Sequence, residues 1–151
     1  MKQLIKNIIR IIQWIPILWE DRDWDYTHLY QILQYKISRM RPEMTNHENS
    51  ELEQKHMRIC ENLLQRLMDD KYDDFYMDKL ENKYGDYITI PEKKGDAKIF
   101  SLSRNKIKSD SDKKEYSKDC KKYFKLANKV KENDKDLLFK IMKKRIEGWW
   151  N

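Results

Sequence analysis

The sequence predicts an all-α fold, a compact bundle of five to six helices with a small irregular or β-hairpin insertion near residues 86–111. Three observations carry this expectation. Only three glycines and three prolines interrupt 151 residues, so turn-forming positions are scarce. Charged residues make up 38% of the chain and aromatic residues 12%, a balance that suits long amphipathic helices better than a turn-rich β-fold. Apolar residues recur every three or four positions through most of the chain, the period of a buried helical stripe. The length fits a single helical domain over 1–151 with one sizeable core.

The first element is an amphipathic helix over 3–15. In "MKQLIKNIIRIIQWIPILW", Lys2, Lys6, Arg10 and Gln13 recur at helical spacing, and Leu4, Ile5, Ile8, Ile9, Ile11, Ile12 and Ile15 occupy the rest, which gives a wide apolar face. The longest unbroken apolar run, Trp14 to Trp19, is too short to span a bilayer, and the segment lacks the layout of a signal peptide. So wide a face is expected to dock into the protein's own core or a partner's, with contact to a membrane surface the less favoured reading. Pro16 is expected to end or kink the helix.

A second helix runs from Asp25, with Leu29, Ile32, Leu33, Ile37 and Met40 on one stripe, until Arg41-Pro42 closes it. "SELE", Ser50 to Glu53, has the spacing of a capping box ahead of a stripe through Leu52, His56, Ile59, Cys60, Leu63 and Leu67. A shorter helix from about Asp73 to Tyr84 stops at Gly85. Two runs of β-formers follow, Tyr87 to Ile90 and Lys98 to Leu102, separated by Pro91 and Gly95. "RNKIKSDSDKK" has little to bury, and a mobile basic loop is expected around 104–112. Asp112 with Glu115 then starts a helix carrying Tyr116, Cys120, Tyr123, Phe124, Ala127 and Val130. "END" at 132–134 reads as a tight turn, and Leu137, Leu138, Ile141, Met142 and Ile146 mark a last helix up to Gly148.

Charge and cysteine usage narrow the function classes. Residues 1–90 carry 13 Lys and Arg against 16 Asp and Glu, whereas residues 91–151 carry 19 against 10. The basic character therefore belongs to the last third, which serves either as a solvated helix face or as an attractor of phosphates. Cys60 and Cys120 lie too far apart for a CxxC pair and have no ligand cluster around them, so neither a disulfide framework nor a zinc site is expected. His28, His47 and His56 lack metal spacing. No glycine-rich phosphate loop, GxSxG or HExxH occurs. No cofactor, resident metal or catalytic residue is expected, and a non-enzymatic role is favoured.

The densest functional motif is "WEDRDWDY", Trp19 to Tyr26. Asp21, Asp23 and Asp25 alternate like the first ligands of a calcium loop, but Tyr26 replaces the required glycine and Ile32 the bidentate glutamate. Capping the second helix accounts for one aspartate. The surplus charge and rings make Asp21, Arg22, Asp23, Trp24, Asp25 and Tyr26 candidates for ligand binding, together with Lys36 and Arg39 one turn apart on the second helix. At the other end of the chain, Lys143, Lys144 and Arg145 precede Trp149 and Trp150. Cations beside flat rings can hold phosphates and stack bases.

The same positions carry a resemblance. Trp19, Asp21, Arg22, Asp23, Trp24, Asp25 and Tyr26, followed by Ile32, Leu33, Lys36, Ile37, Arg39 and Met40, and finally Arg145, Ile146, Trp149 and Trp150, resemble a family of small tailed-phage proteins. The likeness covers both ends of the chain well and 70–135 poorly. It implies a phage origin and residence in the cytoplasm of the infected bacterial host, and it brings no activity with it. By analogy, small phage proteins of this kind include anti-defence proteins that bind a host immune component or sequester its nucleotide signal.

Three functions are therefore weighed. The favoured one is a non-catalytic, anti-defence binding protein that recognises a nucleotide-like anionic ligand or a host defence protein through Asp21–Tyr26, Lys36, Arg39, Arg145, Trp149 and Trp150. The second is a nucleic-acid-binding protein acting through Lys143, Lys144 and Arg145. The third is a small metal-dependent phosphoesterase built on the aspartates. A homo-oligomer is compatible with each.

Overall fold

A computed structural model describes residues 2–19, 21, 24–46, 50–94 and 97–149. The all-α expectation holds. Among these residues there are five α-helices, α1 (Lys2–Trp19), α2 (Tyr26–Met40), α3 (Ser50–Asp69), α4 (Asp74–Tyr84) and α5 (Asp110–Arg145), with two short 3-10 turns, Arg41–Asn46 and Ile146–Trp149. Strands β1 (Tyr87–Lys94) and β2 (Ala97–Arg104) form an antiparallel hairpin. The chain divides into two compact units, one made of residues 1–70 and 134–151 and the other of 71–133.

In the first unit α2 packs on α3. Ile37 and Met44 bury against the stripe that α3 supplies with Met57, Cys60, Leu63, Leu64 and Leu67, and Leu138 and Trp149 complete the core. Polar contacts fix the seam: the Gln34 amide donates to the Glu61 carbonyl at 3.1 Å, and Arg41 pairs with the Glu61 carboxylate at 3.1 Å. Burial, reinforced by the charge of Glu61, raises the Cys60 thiol to about 11, so it stays protonated and behaves as a small hydrophobe. Near the unit's second segment, Arg66 reaches Asp134 at 3.0 Å.

In the second unit α4 lies against the first part of α5. Lys83 bridges Glu115 and Asp119 at 2.7 Å each, Tyr84 donates to Asp119 at 2.8 Å, and the Tyr76 and Tyr123 rings stack. The Lys83 ammonium and the Tyr84 hydroxyl hold the Asp119 carboxyl below its ordinary range. Gly85 ends α4 at a φ of 78°, where an added Cβ would collide with the Asn105 side chain; only glycine fits both demands. Arg104, 1% exposed, donates to the Gly85 carbonyl at 2.9 Å and lies 3.7 Å from the Tyr87 ring centre. Burial, with the Tyr87 hydroxyl beside it, raises the Tyr116 phenol to about 12.

Several boundaries differ from expectation. The turn at 132–134 does not form, and α5 runs unbroken from Asp110 to Arg145. Asn and Asp favour turns, but inside a helix they cost only a fraction of a kcal/mol each, and Asp134 is buried and paired with Arg66. α1 continues through Pro16 to Trp19, so the proline does not end it; the missing N–H removes one helical hydrogen bond and the helix bridges it. Pro91 falls within β1, opposite Phe100, which a two-stranded ribbon tolerates because each strand is an edge. The expected mobile basic loop around 104–112 is short. Arg104 belongs to β2, Asn105 and Lys106 donate to the Asp86 and Tyr84 carbonyls, and α5 starts from a reciprocal cap between Ser109 and Asp112. At "SELE", Ser50 is the first helical residue and Glu53 is drawn to the other end of the unit rather than to a local cap. Gly95 lies outside the described residues.

The largest departure concerns α1. No residue of this helix is buried. The expectation that its apolar face docks into the protein's own core is wrong.

Candidate functional site

The first unit contains a cavity of about 430 Å³ lined by Arg10 and Trp14 from α1, Lys36, Arg39 and Met40 from α2, Glu43 and Met44 from the turn that follows, and Trp149. Helical spacing places them there. Lys36, Arg39, Met40 and Glu43 follow the i, i+3, i+4, i+7 spacing of one helical face, and Arg10 and Trp14 stand four residues apart, so each group shares one face. Three cations, one carboxylate and two indole rings thus line the cavity.

Contacts around the cavity orient these groups. Tyr35 donates its hydroxyl to the Gln13 carbonyl at 2.7 Å, and its ring stands at 77° to that of Trp14 with ring centres 4.8 Å apart. Arg39 donates to the Tyr35 hydroxyl at 3.2 Å and lies 5.6 Å from that ring's centre. Tyr35 therefore positions both Trp14 and Arg39. On the opposite side, Trp149 is 3% exposed and donates its indole N–H to Glu53 Oε2 at 3.0 Å, while Arg145 donates to Glu53 Oε1 at 3.2 Å. Glu53 is itself buried, with His56 Nδ1 3.7 Å away. Its two partners give a buried carboxylate the charge-assisted bonds it requires, and they lock the Trp149 ring.

The structure brings together only part of the expected site. Lys36, Arg39 and Trp149 converge on the cavity, and Arg145 stands behind Trp149 through Glu53. The described members of "WEDRDWDY" do not line it. Asp25 caps α2, its Oδ1 accepting from the Thr27 backbone N–H at 2.9 Å and the Thr27 hydroxyl at 2.6 Å. Asp21 lies 3.6 Å from Nε2 of the buried His28, whose other ring nitrogen is 3.1 Å from Gln31 Oε1. Trp24 and Tyr26 are exposed, Tyr26 with its ring edge-on to Tyr30. Asp25 thus serves the start of α2, as the need to satisfy the first N–H groups of that helix requires. Arg22, Asp23 and Trp150, and with them His47, lie outside the described residues. Among the described residues, no group of three or more His, Cys, Asp or Glu is placed to hold a metal ion.

Arg10, Trp14, Glu43 and Met44 were not anticipated. The signal for two of them was in the sequence: Trp14 stands one turn after Arg10 on the polar stripe of an otherwise isoleucine-rich helix, where a large ring has no reason to be unless it touches something.

No protein-family model, curated protein or solved structure matches the chain.

Proposed function

We propose that the protein is a non-catalytic binding protein that takes a nucleotide-like anionic ligand in the cavity between α1, α2 and Trp149. One observation carries the reading: Arg10, Lys36 and Arg39 gather with Trp14 and Trp149 around about 430 Å³ containing one carboxylate, Glu43. A phosphate draws on the cations, since guanidinium groups offer paired donors and an ammonium a compact charge. A base draws on the indole face of Trp14, whose stacking is tolerant of base identity, while Trp149, 3% exposed, closes the cavity as a fixed wall. The volume lies in the range of small-molecule sites. Glu43 gives the cavity one acceptor, suited to a base amino group or a ribose hydroxyl.

The resemblance to small tailed-phage proteins supplies the setting. A phage protein that binds a nucleotide without turning it over acts by sequestration, and a host immune signal is the target of that chemistry.

Calorimetry with a panel of cyclic and linear nucleotides tests the proposal. Heat is expected from at least one, with affinity lowered by more than about tenfold in Lys36→Glu/Arg39→Glu because two charge-assisted contacts become repulsive. A panel silent at high ligand concentration would sink it. Short DNA and RNA belong in the same panel, because Lys143 and Lys144 are exposed in the last turn of α5. Binding that falls steeply with salt and vanishes on charge reversal at those two lysines would favour the nucleic-acid reading instead.

A further inference from the structure

We infer that α1 is a membrane-surface anchor, lying in the plane of an anionic lipid headgroup layer with its apolar half immersed. The inference rests on which side of the helix meets the rest of its unit. At about 100° per residue, Lys2, Gln13, Lys6, Arg10, Gln3 and Asn7 fall on one side of α1, and an unbroken apolar arc of about 180°, running from Leu18 round to Ile9 and centred near Ile8, forms the other.

Trp14 and Ile17 sit within the polar side. They are the two half-buried residues of α1, and they line cavities of the first unit beside Tyr35, Lys36 and Arg39. The helix thus rests on its unit by the polar side and turns the apolar arc outward. Leu4, Ile5, Ile8, Ile11, Ile12 and Ile15 are all exposed, Ile11 by 65%. An ordinary surface helix has the opposite arrangement, and a contiguous apolar surface of this kind marks an interaction site.

Charge and shape select the occupant. α1 carries Lys2 and Lys6, both exposed and outside the cavity lining, and contains no acidic residue. A second copy of so cationic a helix is repelled, whereas anionic headgroups are attracted. One partner helix covers a stripe of roughly 100°, while a flat lipid surface covers an arc near 180°. Trp19, 85% exposed on the apolar arc, suits the boundary between headgroups and acyl chains. Among the described residues no helix is long and apolar enough to cross a membrane, so α1 lies on the surface. The cavity opens from the polar side of the same helix, so lipid contact and ligand binding use different faces.

The test is sedimentation of the full chain with vesicles of phosphatidylcholine alone and with about one-third phosphatidylglycerol, read with the shift of tryptophan emission. Binding and a blue shift are expected with the anionic vesicles, reduced at least about tenfold in Ile8→Asp/Ile12→Asp and roughly tenfold in Lys2→Gln/Lys6→Gln. Both pairs are exposed, and unchanged circular dichroism verifies that the variants fold. Absence of binding to anionic vesicles overturns the inference, as does equal binding to both vesicle types. A solution dimer that Ile8→Asp/Ile12→Asp dissolves, with no vesicle binding, assigns the face to a second copy and overturns it too.

Discussion

Glu53 shows how much one side chain can organise. Its two oxygens hold residues 92 and 96 positions further along the chain, Arg145 and Trp149. Replacing it with alanine leaves a buried indole N–H without its acceptor and removes the counter-charge of Arg145. Glu53→Ala is expected to cost about 2–3 kcal/mol, measured as a shift in the denaturant midpoint, and to weaken ligand binding by loosening Trp149. Glu53→Gln, which keeps an acceptor for the indole, is expected to lose less. If the two variants were equally stable, the bond to Trp149 would have no part in the core. Local sequence rules gave Glu53 a capping role, because its spacing from Ser50 fits one and its distant partners leave no mark on the sequence. Asp25 is the contrasting case. Its role at the start of α2 was legible, because a cap depends only on neighbours within three residues.

Helix lengths were legible where the punctuation was unambiguous. Gly85 stops α4 as expected, because positive φ is a property of the residue itself. At 132–134 the same kind of reading failed: Glu, Asn and Asp carry turn propensities too small to break a helix that tertiary contacts hold on both sides. This leads to a prediction with a definite sign. Asn133 is helical and exposed, so Asn133→Ala is expected to raise stability by about 0.5 kcal/mol. A loss of stability in thermal denaturation would restore the turn. For α1 the periodicity identified the apolar face correctly, yet no periodicity says whether that face points inward. That is decided by Trp14 and Ile17, two residues that break the pattern. The candidate site was half legible for the same reason. Lys36 and Arg39 follow from the period of α2, while Arg10 and Trp14 lie on the polar side of α1, which periodicity alone marks as solvated rather than docked.

At the level of the whole molecule, the chain divides into two units, and one of them carries an acid-sensitive network. In the unit of residues 71–133, Asp119 is held below its ordinary range by Lys83 and Tyr84, and Asp112 by the backbone N–H groups of Lys108 and Ser109. Carboxyls lowered in this way stabilise the fold above their unfolded pKa and lose that contribution as pH falls through the folded one. Lys83 is raised by Asp119 and Glu115, so its share persists below its ordinary pKa and is lost only in strong alkali. The network is therefore expected to be intact from about pH 5 to 10 and to fail below about pH 4. Asp119→Asn should lower the melting temperature at neutral pH and flatten its decline in acid. All five tryptophans lie outside 71–133, so tyrosine circular dichroism is the sensitive probe; an unchanged acid slope in the variant would remove Asp119 from the network.

The same division bears on biosynthesis. Residues 71–133 form a unit from one continuous segment, whereas the other unit needs residues 134–151 to join residues 1–70. A ribosome delivers residues 71–133 whole before it delivers the segment that closes the other unit. Until Leu138, Arg145 and Trp149 emerge, the α3 stripe lacks part of its cover and Glu53 lacks two of its partners. During that interval the isoleucine arc of α1 is already outside the tunnel, an adhesive surface on a nascent chain whose cavity is still missing one of its two indole walls.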